Sequence, residues 1–283
     1  MTESLPVVAF IGVGTMAEAM VDKAIEGGWP RERILMSHRR EDRRRELSEL
    51  YGITVSEDNV ATAAKGDVIM VGVRPQELPA MLESLKPAFK AGQTLLSVAA
   101  GMTVDWLTPR VAQGMTVVRV TPPPTAWVGA GVTLLSTGVE LPAGLKSAIE
   151  RMVKSTCERM EWIDDALMEP ITAMALGLTP YTSMIVKTLI ETGIEQGIDP
   201  AFARRMVIDG LYATARMLRD PRFTPEHVIE TVATREGLTW CSLHTMEAYG
   251  VFKGIRAGAR AMTGRSYEFR GERVPDEYMG FLR

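Results

Sequence analysis

Positions 7–11, Val-Val-Ala-Phe-Ile, are strand-forming and run straight into Gly12-Val-Gly14-Thr15-Met16-Ala17. Behind that turn, Ala17, Met20, Val21, Ala24 and Ile25 recur at the spacing of a helix face that packs on a sheet. Further short apolar runs at 34–37, 68–73, 94–98, 116–120, 132–135 and 160–163 predict strands. Amphipathic stretches starting near Thr15, Glu41, Gln76, Thr103 and Pro142 predict helices between them. Strands alternating with helices imply parallel crossover units, hence an α/β, doubly wound sheet of Rossmann type over residues 1–164. Such a sheet binds its ligand beyond the C-terminal strand ends, where the strand order switches.

From residue 165 the strand-like runs stop and helical spacing takes over, so residues 165–283 are expected to form an all-α domain. Asp199-Pro200 and Thr224-Pro225 each supply an N-cap followed by proline at the first helical position. Residues 181–198 are apolar on most faces, with Lys187 and Glu191 as mid-helix charges. A helix apolar nearly all round must be buried. A second subunit is the natural cover in so small a domain, and an ordinary deep core helix is the alternative. The expected state is a homodimer or a higher homo-oligomer. Residues 270–283 are polar and are expected to be irregular.

The net charge of −3 argues against nucleic acid and anionic membrane surfaces as partners. Arg39, Arg40, Arg43, Arg44 and Arg45 alternate with Glu41, Asp42, Glu46 and Glu49, which past its first two residues reads as a solvated, salt-bridged helix face. Cys157 and Cys241 match no metal-ligand spacing and read as buried free thiols of a reducing compartment; the three histidines form no metal pattern either. No metal site is expected. No apolar run reaches the ~18 residues of a membrane span, and no signal-peptide core opens the chain, so a cytoplasmic protein without a membrane partner is expected.

The glycine turn carries the first chemistry. Gly12 permits a tight turn, and Gly14 lets backbone approach a pyrophosphate. Thr15 and Met16 open the helix whose N-terminus attracts it. About 20 residues on, an NAD enzyme carries an acid for the ribose diol. This chain has Ser37, His38, Arg39 and Arg40 instead, which suits the ribose phosphate of NADP through charge-assisted hydrogen bonds; a solvated helix start is the alternative. Asn59 is placed to reach the adenosine side. Val73, Arg74 and Pro75 close one strand and Ala99 and Ala100 another, small residues on which nicotinamide and its ribose can lie.

In order and spacing, Gly12-Val-Gly14-Thr15-Met16-Ala17-Glu18-Ala19, Asn59, Val73-Arg-Pro-Gln76, Ser97-Val-Ala-Ala-Gly101 and Val118-Arg119 resemble the pyrroline-5-carboxylate reductase family. The likeness resumes at 232–250 and closes at Arg265-Ser266-Tyr267-Glu268-Phe269. It implies reduction of the cyclic imine pyrroline-5-carboxylate to L-proline with NAD(P)H. It also implies a Rossmann domain, an interlocking helical dimerisation domain, and an active site formed across the dimer. The substrate half departs from the family. A Met-Pro-Asn-Thr-Pro loop reads Thr121-Pro122-Pro123-Pro124-Thr125, which replaces the Asn amide by Pro123. The Gly-Ser-Gly-Pro-Ala helix start ahead of Tyr181 reads Leu176-Gly177-Leu178-Thr179-Pro180, and Lys187 stands where an acid is preferred. The Ser-Pro-Gly-Gly-Thr-Thr loop reads Thr234-Arg235-Glu236-Gly237-Leu238-Thr239.

Glu236 and Leu238 crowd a carboxylate-binding turn and add negative charge, so the reaction type transfers more safely than the substrate. The resulting expectation is an NADPH-dependent reductase of a C=N bond in amino-acid metabolism, acting on pyrroline-5-carboxylate or a related cyclic or secondary imine. Thr239 is expected to hydrogen-bond the substrate nitrogen, with Gly237, Leu238, Pro123 and Tyr181 around the substrate. The rival is a non-catalytic NADP-binding sensor or partner-binding subunit that kept the cofactor motifs and lost the pocket.

Overall fold

The computed structural model describes residues 5–282. Eight strands form one sheet: β1 (Val8–Ile11), β2 (Ile34–Ser37), β3 (Val55–Ser56), β4 (Val68–Val71), β5 (Thr94–Ser97), β6 (Thr116–Thr121), β7 (Val132–Thr137) and β8 (Arg159–Trp162). Their order is β3-β2-β1-β4-β5-β6-β7-β8. All neighbours pair parallel except β6 with β7. The switch in order falls between β1 and β4, where Val8–Ile11 runs in register with Val68–Val71.

Both faces of the sheet are covered, and alternate residues of each strand serve opposite cores. Val8, Phe10, Val68 and Met70 pack with α1 (Thr15–Glu26), α2 (Glu41–Tyr51) and α6 (Ala143–Val153). Ala9, Ile11, Ile69 and Val71 pack with α3 (Asn59–Ala63), α4 (Leu78–Leu85) and α5 (Val104–Leu107). Continuous apolar strands are what burial on two faces requires. The two-residue β3 and five-residue α3 escaped the pattern because neither is long enough to show a period.

The chain divides into two compact units, one of residues up to Leu176 together with those from Met262 onward, the other Gly177–Ala261. The break comes after the 164/165 junction expected from composition. Met168, Ala173 and Leu176 are buried, so α7 (Met168–Ile171) and the π-turn Thr172–Leu176 belong with the sheet. After a helix over Val251–Arg270 (α12), the described tail is mostly irregular, as expected, but carries one short helix over Asp276–Met279 (α13), and Tyr278 stacks on Tyr267 at 6.2 Å. A Cβ on Gly264 would lie 2.9 Å from that of Tyr278, so the fold-back depends on glycine there.

The second unit comprises α8 (Leu178–Glu195), α9 (Pro200–Leu218), α10 (Pro225–Val232), α11 (Leu238–Ala248) and the first part of α12. Asp199 and Thr224 cap α9 and α10 as their sequence signals predict. Within the chain no residue of α8 is buried. Met184, Ile185 and Leu189 are 63%, 45% and 53% exposed, which leaves a wide apolar face uncovered by this copy. Lys187 pairs with Glu191 at 3.1 Å. Residues Asp165–Glu195 are long and apolar enough, at mean hydropathy 1.2, to meet a membrane-span criterion that tolerates scattered polar residues. Cys157 is buried, but Cys241 on α11 is exposed, against the expectation of two buried thiols.

Candidate cofactor and substrate site

At the end of β1 the backbone turns back on itself, with the Gly14 amide donating to the Gly12 carbonyl at 2.7 Å and the Gly12 amide to the Ser37 carbonyl at 3.1 Å. Gly12 sits at φ +74°, and a Cβ there would meet Val73 Cγ1 at 2.8 Å. Gly72 leaves no room either, since its Cβ would lie 2.5 Å from Ala17 Cβ. The third position of the motif thus holds α1 against β4. Gly14 is the N-cap of α1 and offers no side-chain hydrogen bond, which leaves the first-turn amides at Thr15 and Met16 for an outside anion.

A cleft of about 710 Å³ opens over this turn, lined by Gly12, Gly14, Thr15, His38, Arg39, Asn59, Val73 and Arg74. The volume is that of an ordinary small-molecule or cofactor site. Gly72 and Gln76, the latter from the Val73–Gln76 motif, complete the wall with Glu77, Ala80, Met81 and Ser84 around α4, which were not singled out from sequence. One buried polar atom of a lining residue fits a ligand there: Asn59 Oδ1 has no hydrogen-bond partner; Ser37 Oγ is also unpaired but lies behind the cleft, fully buried. Buried polar atoms are seldom left that way without a water or ligand to meet them.

His38 accepts the Arg40 amide on Nδ1 at 3.2 Å. Its pKa is lowered, first by burial and then by Arg43, Arg40 and Arg39, so at neutral pH the ring is uncharged and its other nitrogen carries the proton. Arg39 lines the cleft with its side chain 80% exposed and, among the described residues, only Glu77, at 3.9 Å, as ion partner. Arg40 does not line it. Its Nε bonds Asp42 at 3.1 Å, a contact that pulls the Asp42 carboxyl down to about 2. Two arginines read as part of a solvated face have structural work instead. Arg44 donates to the carbonyls of His38 and Arg39 at 3.2 and 3.0 Å, and Arg43 ties α2 to Glu18 of α1. Periodicity alone could not distinguish these two from their exposed neighbours.

Beyond β5, Ala99 is buried and donates its amide to Ser97 Oγ at 3.4 Å. Ala100 is exposed, and Pro75 begins a 3₁₀ turn after Arg74. The turn at Gly101, φ +82°, is clamped by Arg270, whose Nη1 donates to the Gly101 carbonyl at 2.6 Å. Arg119, 2% exposed, donates to Asp165 at 2.7 Å and to Glu169 at 2.6 Å. Asp165 also takes Ser136 Oγ at 2.6 Å and the Val104 amide at 2.8 Å. Pro123 is buried; its carbonyl accepts the Ala126 amide at 2.9 Å and its ring lies 3.4 Å from where a Gly131 Cβ would stand. It therefore packs the end of β6 rather than facing open space.

The other expected substrate residues belong to the second unit. Gly237 caps α11, and a Cβ there would lie 2.7 Å from Thr234 Oγ1. Glu236 alone among the non-glycine described residues has positive φ, +60°. That is a conformation glycine adopts freely and glutamate does not. Leu238 is 94% exposed, Thr239 is exposed on the first turn, and Tyr181 is half-buried near Gly258.

Residues 7–101 match the family described as NADP oxidoreductase coenzyme F420-dependent, and residues 165–269 match pyrroline-5-carboxylate reductase dimerisation. A pyrroline-5-carboxylate reductase of Bacillus subtilis is 28% identical over 273 residues, covering 94% of this chain and 92% of that one. Among solved structures, a pyrroline-5-carboxylate reductase of Streptococcus pyogenes superposes with a TM-score of 0.84 at 21% identity, covering 93% of this chain and 98% of that one. The Plasmodium falciparum pyrroline carboxylate reductase with NADP bound gives 0.85 at 17% identity, covering 95% and 100%. Sheet order, glycine turn and cleft define a Rossmann-type dinucleotide-dependent oxidoreductase. With a dimerisation region of this type following it, the chain is similar along nearly its whole length to pyrroline-5-carboxylate reductases.

Proposed function

We propose that this chain is an NADPH-dependent reductase of C=N bonds, with pyrroline-5-carboxylate or a related cyclic or secondary imine as substrate. The observation that carries it is the cleft itself: a pyrophosphate turn, the unpaired buried oxygen of Asn59 and the exposed Arg39 line a single space. The curated relatives named pyrroline-5-carboxylate reductase, which align along nearly the whole chain, support the reaction class.

Gly12, Gly14, Thr15 and Met16 would hold the pyrophosphate, Ser37, His38 and Arg39 the ribose phosphate, Asn59 the adenosine side, and Val73, Arg74, Pro75, Ala99 and Ala100 the nicotinamide half. When bound, NADPH supplies the hydride. The protein orients the imine, excludes water and, through Thr239, hydrogen-bonds the substrate nitrogen. The proton on nitrogen is present in the iminium form or comes from water. The protein acts in the cytoplasm as a homo-oligomer on a small molecule, with neither nucleic acid nor membrane as partner. Residues 165–283 supply the subunit contact, and the uncovered face of α8 is its natural seat.

The test is NADPH consumption by the purified protein across cyclic imines and across 2-oxo acids mixed with amines. Turnover of one or more imines is expected. NADPH binding without turnover of any would favour the sensor reading.

A further inference from the structure

The loop after β5, the proposed seat of the nicotinamide, is pinned by the far end of the chain. Ser97 at the end of β5 pairs in register with Val71 of β4, so residues 98–101 leave the sheet beside the strand whose end supplies Val73 and Arg74 to the cleft. Among the described residues, two hydrogen bonds hold residues 99–101. The Ala99 amide donates to Ser97 Oγ at 3.4 Å, and Arg270 Nη1 donates to the Gly101 carbonyl at 2.6 Å. The first is long and neutral; the second is short and charge-assisted, the stronger kind. Packing alone leaves the loop room to shift, because a cavity of about 160 Å³ borders Ala100 and Gly101.

Arg270 is itself held. Its side chain is 4% exposed, Nη2 pairs with Glu272 at 2.7 Å, and the guanidinium lies 4.6 Å over the Tyr267 ring. Burying that charge would be costly alone, so Arg270 and Glu272 act as one neutral clamp. The Arg270 carbonyl accepts Trp106 Nε1 at 3.3 Å, from α5, the helix into which the same loop runs. Arg270 Nε is buried without a partner among the described residues, a cost borne while Nη1 stays aimed at Gly101. Gly101 is buried too, so no water stands ready to replace Nη1 on its carbonyl. All of these residues belong to the first unit.

We infer that Arg270 is a positioning residue: through the Gly101 carbonyl it fixes the loop on which the nicotinamide lies, and so the approach of the hydride donor to its acceptor. The inference rests on the proposed nicotinamide seat at Ala99 and Ala100. A displacement of about 1 Å at a reacting centre costs about 10²-fold in rate. The adenosine half is held by other segments, at the ends of β1 and β2, and should not feel the clamp.

The experiment compares wild type with Arg270→Met, which keeps length and removes the donors, and Arg270→Lys, which keeps a charged donor. Three quantities are measured on each purified protein: affinity for 2′,5′-ADP, which carries the phosphorylated adenosine half alone; fluorescence of bound NADPH, which reports the surroundings of the nicotinamide; and single-turnover reduction of pyrroline-5-carboxylate and 1-pyrroline. In Arg270→Met, 2′,5′-ADP should bind as in wild type, NADPH fluorescence should move toward that of free cofactor, and hydride transfer should fall about 10–100-fold. Arg270→Lys should fall between the two. A merely structural Arg270 would lower melting temperature and 2′,5′-ADP binding together, with fluorescence and rate per folded molecule unchanged, and that result overturns the inference. If Arg270→Met does not fold, Trp106→Phe removes the donor to the Arg270 carbonyl and should give the same signature at about threefold in rate. Unchanged fluorescence and rate there also overturn it. A wild type that binds NADPH but reduces no imine overturns the reductase reading instead, and the fluorescence comparison still decides the clamp.

Discussion

Replacing Arg39 by alanine removes one of two cleft-lining guanidiniums, the other being Arg74. Among the described residues its ion partner is Glu77 at 3.9 Å, and its side chain is 80% exposed, so little holds it away from an incoming phosphate. Two unit charges about 4 Å apart interact by about 1 kcal/mol in bulk water and about 4 kcal/mol at an effective dielectric constant of 20. High exposure places Arg39 near the lower bound, at about 1–2 kcal/mol, a factor of about 5–30 in affinity. Arg39→Ala should therefore weaken NADPH by that factor and leave NADH, which lacks the phosphate, unchanged. Arg40→Ala should leave both unchanged, since Arg40 lies off the cleft and bonds Asp42. Titration by nucleotide fluorescence at low and high salt measures all three, and the Arg39 effect should shrink as the Debye length falls from about 8 Å at 0.15 M to about 3 Å at 1 M. Equal losses for NADPH and NADH, or an Arg40 effect as large as that of Arg39, would refute the reasoning.

Thr239→Val should lower imine turnover by about 1–3 kcal/mol with NADPH affinity and melting temperature preserved, whereas a purely structural Thr239 would shift melting and spare activity per folded molecule. Glu236→Gly should raise stability by about 1 kcal/mol by relieving the left-handed backbone, measured by denaturant titration. Combined with Leu238→Thr it should shift activity toward proline formation; a double variant unchanged in both respects counts against the loop. Ile185→Glu, on the uncovered α8 face, should dissociate or unfold the assembly, and sedimentation showing a stable, active 31.1 kDa wild-type monomer contradicts that account.

Legibility followed the length of each signal. The long apolar strands and the Gly12 turn were readable because burial on both sheet faces and one sterically forced glycine leave few alternatives. The residues of β3 and α3 were not, although Asn59 at the start of α3 lines the cleft. Within the run of arginines the sequence identified Arg39 but could not separate the cleft-lining Arg39 from the outward Arg40, or see that Arg44 holds the carbonyls beneath them. That distinction depends on the direction in which each side chain leaves the backbone. Pro123 was expected beside the substrate by analogy with a family loop, yet three successive prolines carry it into packing against Gly131.

The central claim is that hydride passes from nicotinamide to a C=N carbon in this protein. NADPH deuterated at the transferred C4 position, incubated with the purified oligomer and 1-pyrroline or pyrroline-5-carboxylate, should yield a cyclic amine carrying one deuterium on the former imine carbon. Recovery of unlabelled amine, or tight NADPH binding with no amine formed from either imine, would contradict it.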